Sequence, residues 1–279
     1  MRLLRHGAVG KEKPGVLDHK GQVRDLSAVV GDIAGEALSQ ENLRRLSRLN
    51  LDALPIVEAG MRVGPCIGAI SKIIGVGLNY RDHAISAGLK PPERPVLFMK
   101  PPSSICGPCD IVRLPSGSEH LDWEIEVGAV IGTLARDIEP IDSLRHVAGY
   151  CIVNDITERA WIERSGQLLE GKGCDTFTPI GPWLVTADEV GDPGALALQL
   201  DLNGRRCQDG NSRDMIFDLA YLISHISRRM TLLPGDIITT GTPAGVGMRM
   251  NPPVYLRDGD VMRLTVTGLG EQQQRVRAA

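Results

Sequence analysis

The stretch LDWEIEVGAVIG, Leu121–Gly132, constrains this chain more than any other. Trp123, Ile125, Val127, Val130 and Ile131 are the residues of a buried strand, yet Glu124 and Glu126 interrupt them. A strand places residues two apart on one face, so both carboxylates point the same way. Like charges that close repel, and burying even one unpaired carboxylate is costly. A fold that buries this strand must bring compensation to its acidic face. The bland alternative is an outward-facing polar edge on a half-exposed antiparallel strand.

A divalent cation is the simplest compensation. Hard ions such as Mg²⁺ or Ca²⁺ take oxygen ligands, and Mg²⁺ combines a few carboxylates with water and substrate. Two carboxylates make a poor site alone, and GYCIVNDITERAW offers a third. There Asp155 ends an apolar strand just before a helix begins, a position that equally suits a helix N-cap.

The rest of the chain narrows the classes. Its 279 residues suggest one large domain or two ordinary ones, ample for a substantial core. With 31 basic and 34 acidic residues the net charge is −3, which gives no electrostatic case for nucleic acid or an anionic membrane. No apolar run reaches the roughly 20 residues that span a bilayer, and MRLLRHGAVG is not a secretory signal, so the expectation is a cytoplasmic protein. Six scattered cysteines argue against a disulfide framework. The Cys106/Cys109 C-x-x-C has no second pair and no βαβ frame, so it reads as two small residues in a Pro/Gly turn.

Glycine, 32 of 279 residues, exceeds the usual ~7% and signals frequent turns. Residues 1–70 read as a small, β-rich N-terminal domain: strand, turn at Asp18–Gly21, strand, then a helix with Ser39 as N-cap. Residues 71–279 read as the main domain. Short strands dominate it, with two helices expected at about Thr157–Arg164 and Asp214–Met230. Without regular βα alternation, the pattern predicts an α+β fold with mixed sheets rather than a doubly wound one.

Six segments in order, GVGLNYRDHA, DWEIEVGAVIG, NDITERAW, GKGCDTFTPIGPW, PGDIITTGTPAGVG and PPVYLRDGD, resemble the fumarylacetoacetate hydrolase family from about Lys72 onward. The resemblance implies a rolled, mixed β-sheet core, a homodimer, and a divalent metal on Glu124, Glu126 and Asp155. That metal is usually Mg²⁺, with Mn²⁺ or Ca²⁺ as alternatives. It further implies a small anionic 2-oxo or 2-hydroxy acid as substrate, of the acylpyruvate, fumarylacetoacetate or ureidoglycolate kind. The ion would act as a Lewis acid on its enolate or carbonyl. Three carboxylates against two positive charges leave about one negative charge in excess, so the substrate needs cationic help. Arg159 and Lys172 match the family's substrate-binding arginine and lysine, and His83 its mobile-loop histidine and proton carrier. Tyr80, Thr176 and Thr242 match pocket positions, and GTPAGVG offers backbone N–H groups to a substrate carboxylate.

Two departures bear on the reaction. Hydrolytic members carry His-x-x-Glu where this chain has His83 and Ser86, and a glutamine where it has Ile162. A serine cannot orient and charge-stabilise an imidazolium as a carboxylate does. The leading expectation is therefore a metal-dependent hydrolase or lyase. The alternatives are an isomerase or decarboxylase of an aromatic-degradation 2-oxo acid, or a metal-binding homologue with weak catalysis.

Overall fold

Strand alternation decides what each face of the sheets meets. In Ile125–Ile131 every residue is buried. Odd-numbered Ile125, Val127, Ala129 and Ile131 join the larger apolar cluster, with Leu198, Leu200 and Leu264 and with Leu222, Ile223 and Ile226 of a helix. Val130, on the other face, belongs to a second cluster with Leu3, Val16, Leu26, Leu38 and Leu46. Glu126 shares that second face, two pleats along. The acidic face is thus half covered by the N-terminal residues, and its other half is left to the cleft described below.

The computed structural model describes residues 1–279. The main sheet runs, edge to edge, through Val23–Asp25, Lys13–Leu17, Arg2–His6, Thr178–Thr186, Val147–Asn154, Ile125–Ile131, Ile237–Thr239, Ile73–Gly77 and Val96–Lys100, with Ile105–Cys106 added on Thr178–Thr186. It is mixed: Ile237–Thr239 pairs antiparallel with Ile125–Ile131 and parallel with Ile73–Gly77. A second sheet, of Arg205–Asn211, Ala197–Leu202, Val261–Val266, Gly270–Ala278 and Val112–Leu114, covers the larger cluster. The expected α+β class with mixed sheets is the architecture observed. No helix is long and apolar enough to cross a membrane.

Residues 1–70 join this body through both sheet and core. Arg2 and Leu3 pair with Val185 and Leu184, and Leu3, Leu38 and Ile67 share their cluster with Val130, Val153 and Ile180. The hairpin turn forms where the sequence places it. Asp18 accepts from the N–H groups of Lys20 and Gln22 at 2.8 Å each and from Arg24 Nε at 2.8 Å. Burial opposes its ionisation, but the Gln22, Arg24 and Lys20 donors outweigh burial and hold the carboxyl down at about 2. A depressed carboxyl contributes stability above its unfolded value, and that contribution is lost as pH falls toward 2. Asp18→Asn should therefore flatten the acid limb of the wild-type urea midpoint between about pH 4 and 2. Parallel curves for the two proteins would remove Asp18 from acid stability.

Both expected helices form, and both start later than expected. Thr157–Glu158 is a short strand paired with Leu121–Asp122, and the helix is Arg159–Ser165. Its N-cap is Glu158, which accepts from Ala160 N at 3.0 Å, so Asp155 is not the cap. The second helix is Leu219–Ser227, capped by Asp218. Its expected first turn is diverted because Ile216 and Phe217 donate to the backbone and side-chain oxygens of Asn79 at 2.7 and 2.9 Å. All six cysteines are free, with Cys106 buried and Cys109 exposed.

Candidate active site

Strand register assembles the acidic cluster. Val153 pairs with Glu126 and Asn154 with Ile125, which brings Asp155 alongside Glu124; its N–H donates to the Glu124 carbonyl at 2.9 Å. Oxygens of Glu124, Glu126 and Asp155 lie within 4.8 Å of one another, and all three side chains are buried. The half-exposed-edge alternative is therefore excluded. Glu126 accepts only from a backbone donor, Gly241 N at 2.8 Å, and no cation is bonded to it. Burial, with Asp155 and Glu124 nearby, pushes its carboxyl up to about 8. This donor set, three converging carboxylates with one uncompensated, fits a hard divalent cation.

Three buried cations surround the cluster. Lys172 Nζ donates to Glu124 at 2.9 Å, to Thr157 Oγ1 at 2.8 Å and to Asp155. Lys100 Nζ bonds Asp155 from the other side. Arg159 spans Asp122 at 2.9 Å and Glu124 at 2.7 Å. Burial works against ionisation of Glu124, yet Lys172 and Arg159 outweigh it and hold the carboxyl well below the usual range. Burial likewise opposes the Lys172 charge, and Asp155 and Glu124 reverse the balance upward. At Lys100 burial wins and lowers the ammonium pKa, despite Asp155. Four carboxylates against three cations leave one negative charge, which a divalent ion would turn into one positive charge, favourable for an anionic substrate.

A cleft of about 170 Å³ opens onto this cluster, lined by His83, Glu124, Glu126, Arg159, Lys172 and Thr242 together with an apolar wall. His83 sits on the helix Arg81–Ser86, mostly buried, with Nδ1 free of any hydrogen-bond partner. Burial lowers its pKa, with Glu124 opposing. Ser86, one turn on, is exposed and donates its hydroxyl to the His83 carbonyl at 2.8 Å, so it does not touch the ring. Ile162 packs where a Cβ on Gly171 would meet it at 2.4 Å, wedging its helix against Leu168–Lys172.

Other expected residues fall differently. Thr176 lies outside the cleft lining. Its backbone is left-handed (φ 67°), and its hydroxyl accepts from Arg113 N at 2.9 Å, because the turn after Lys172 carries it toward Val112–Leu114. Tyr80 is fully buried behind Glu126 rather than on the cleft surface. Thr242 does line the cleft, yet its hydroxyl donates to the Ile125 carbonyl and accepts from Gln208, both at 2.8 Å. Arg159 reaches Asp122 and Glu124 and not its near neighbour in sequence Asp155, because the strand Thr157–Glu158 lies between them and the helix begins only at Arg159.

The GTPAGVG segment also departs from expectation. Three of its N–H groups are committed to protein carboxylates: Gly241 to Glu126 at 2.8 Å, Ala244 to Asp82 at 3.1 Å, and Gly247 to Asp122 at 2.7 Å. They hold the site's own acids in place rather than a substrate. Gly241 needs to be glycine, since its φ is 89° and a Cβ would lie 2.9 Å from Asn79 Cβ and Val76 O. Sequence reasoning missed two residues, Lys100 and Asp122. Asp122 extends the period-two pattern to D-x-E-x-E, and Lys100 ends the apolar VLFMK run, the signals that were there to read.

Comparison with known proteins shows the family. A family model described as fumarylacetoacetate (FAA) hydrolase C-terminal matches residues 72–277. A Burkholderia multivorans protein provisionally named a hydrolase is 55% identical over 281 residues, covering 100% of both chains. The maleylpyruvate hydrolase of Sphingobium sp. SYK-6, solved with manganese(II) and pyruvate, aligns with a TM-score of 0.84 at 31% identity over 100% of both chains. The 5-carboxymethyl-2-hydroxymuconate delta-isomerase of Mycobacterium smegmatis aligns with a TM-score of 0.78 at 30% identity, over 100% of this chain and 99% of that one. From residue 72 nearly to its C-terminus, this chain belongs to the fumarylacetoacetate hydrolase family.

Proposed function

We propose that the protein is a divalent-metal-dependent enzyme that cleaves a small 2-oxo acid, with acylpyruvate hydrolysis as its reaction class. The observation that carries this reading is a cleft lined by Glu124, Glu126, Arg159, Lys172 and His83, with Asp155 and Lys100 buried directly behind it and bonded to the same cluster. Manganese and pyruvate bound together by the maleylpyruvate hydrolase support both halves of it. A divalent ion on Glu124, Glu126 and Asp155 supplies Lewis acidity toward a substrate carbonyl.

The chain's own residues divide the remaining work. Arg159, braced by Asp122 and Glu124, offers its guanidinium to the substrate carboxylate. Lys172 offsets negative charge developing on the substrate oxygen. Asp122 and Lys100 hold Arg159 and Asp155 in position. His83 carries the proton. A homodimer is part of the same proposal, and light scattering on the purified protein reads it directly.

Isomerase or decarboxylase chemistry is the second reading, favoured by one observation. The His83 ring has no carboxylate partner of its own, because Ser86 turns back onto the helix and Ile162 is spent on packing. Such reactions need a proton shuttle but no activated water. Turnover of acetylpyruvate, oxaloacetate and ureidoglycolate by the Mn²⁺-loaded protein separates the readings: brisk acetylpyruvate cleavage supports the hydrolase, and none of it removes that reading.

Ser86→Glu is the companion test. A carboxylate one turn after His83 should raise acylpyruvate hydrolysis by about 10-fold, a fraction of the ~10²–10⁴ that general base catalysis as a whole contributes. His83→Ala should remove the gain. A parent enzyme that is already fast and indifferent to Ser86→Glu would mean that another residue activates the water.

A further inference from the structure

Away from the carboxylates, the cleft changes character. Ile74 and Val76 of Ile73–Gly77 belong to the larger apolar cluster, so Gly75 and Gly77 lie on the strand's other face, and Gly77 lines the cleft. Across the antiparallel pair, Gly75 stands opposite Phe98 and Gly77 opposite Val96. The Phe98 ring lies so low on Gly75 that a Cβ there would fall 2.1 Å from its Cζ. Folded onto bare backbone, the ring becomes a wall of the cleft, continued by Leu78, Val96 and Leu168.

This wall has no free charge to offer. The cations lining the cleft are Arg159 and Lys172. Arg159 is held by Asp122 and Glu124, and Lys172, whose ammonium lies 4.9 Å from the Phe98 centroid, by Glu124 and Asp155. In the reading above the substrate's own 2-oxo carboxylate and oxygen take what these two cations still offer. A second carboxylate driven against Phe98 would therefore lose its water without a cation of its own, which is costly, whereas an apolar group there gains by leaving water.

We infer that Phe98, seated on Gly75, determines specificity: the cleft takes 2-oxo monoacids with a short, uncharged, apolar tail and rejects those ending in a second carboxylate. The inference rests on the 2-oxo acid reading above. At about 170 Å³ the cleft limits that tail to a few carbons.

Calorimetry on the Mn²⁺-loaded protein tests it with three probes: pyruvate, 2-oxoglutarate, and 5-methyl-2-oxohexanoate, which carries an isopropyl group where 2-oxoglutarate has its distal carboxylate. The branched acid should bind about 10-fold tighter than 2-oxoglutarate or more. Phe98→Arg should reverse that order by giving the distal carboxylate a partner. Gly75→Ala, whose new Cβ lifts the ring into the cleft, should bring the ratio of branched acid to pyruvate down toward one. Thermal melts of both variants check folding, and the wild-type ranking decides the matter without them. If pyruvate binds and 2-oxoglutarate equals or beats the branched acid, the specificity inference is overturned while the 2-oxo acid reading stands. If Mn²⁺ binds and pyruvate does not, the 2-oxo acid reading fails and takes the inference with it.

Discussion

Glu126→Gln should abolish Mn²⁺ binding while raising the melting temperature of the metal-free protein. The two effects have one cause. Glu126 is buried beside Glu124 and Asp155 and is the one member of the cluster with no cation bonded to it. Without an ion, burial and its acidic neighbours raise its pKa, so at neutral pH folding must bear either its charge or its protonation; glutamine keeps the shape without that cost and can still accept from Gly241 N. With an ion the same carboxylate is a ligand, and its loss should exceed the roughly 10–100-fold lost when an outer partner of a ligand is removed. Each kcal/mol of repulsion relieved should show as about 2–4 °C in a chain of this size. Calorimetric titration with Mn²⁺ and thermal melts in chelator measure both effects. Wild-type-like affinity would take Glu126 out of the metal site, and a large fall in metal-free stability would make it a structural acid instead.

Lys172→Met should lower turnover by about 10²-fold or more without weakening Mn²⁺ binding. The Lys172 ammonium is bonded to Glu124 and Asp155, two of the three carboxylates, so removing it leaves the cluster more negative and no worse for a cation. What is lost is the positive charge available to a substrate oxygen as negative charge develops there, a role typically worth 10²–10³ in rate. Methionine keeps much of the apolar stem and removes the ammonium that lies 4.9 Å from the Phe98 centroid. Steady-state kinetics and Mn²⁺ titration on the same preparation separate the two quantities. An unchanged rate would reassign the lysine to structure, and lost Mn²⁺ affinity with proportionate loss of rate would make its role indirect.

What was legible in the sequence was whatever period and spacing determine locally. Alternation along residues 121–132 placed Glu124 and Glu126 on one face, because a strand's side-chain period is two whatever packs against it. Asx chemistry at Asp18 and the Ser39 cap were legible for the same reason, since their partners lie within four residues. Helix starts were less so. Asn79, more than 130 residues away in sequence, captures the backbone that would have begun one helix. Pairing with Leu121–Asp122 delays the other.

Only the tertiary structure decided which charges meet. Local pattern places Asp122 on the face of Glu124 and Glu126 and Lys100 at a strand end but does not name their partners; those are set because Val96–Lys100 closes one edge of the sheet and because Leu121–Asp122 folds against Thr157–Glu158. Thr176 left the site, and the GTPAGVG amides turned to the protein's own acids, for the same reason. A hydrogen bond goes to whichever partner the chain brings within about 3 Å, and long-range register, not neighbouring sequence, sets that distance. The sequence by itself determined that two buried glutamates needed compensation. Asp155, Lys172 and Arg159 were named from the sequence as their partners; the fold decided how these bond to one another, that Lys100 and Asp122 would join them, and that Phe98 would lie on Gly75 beside them.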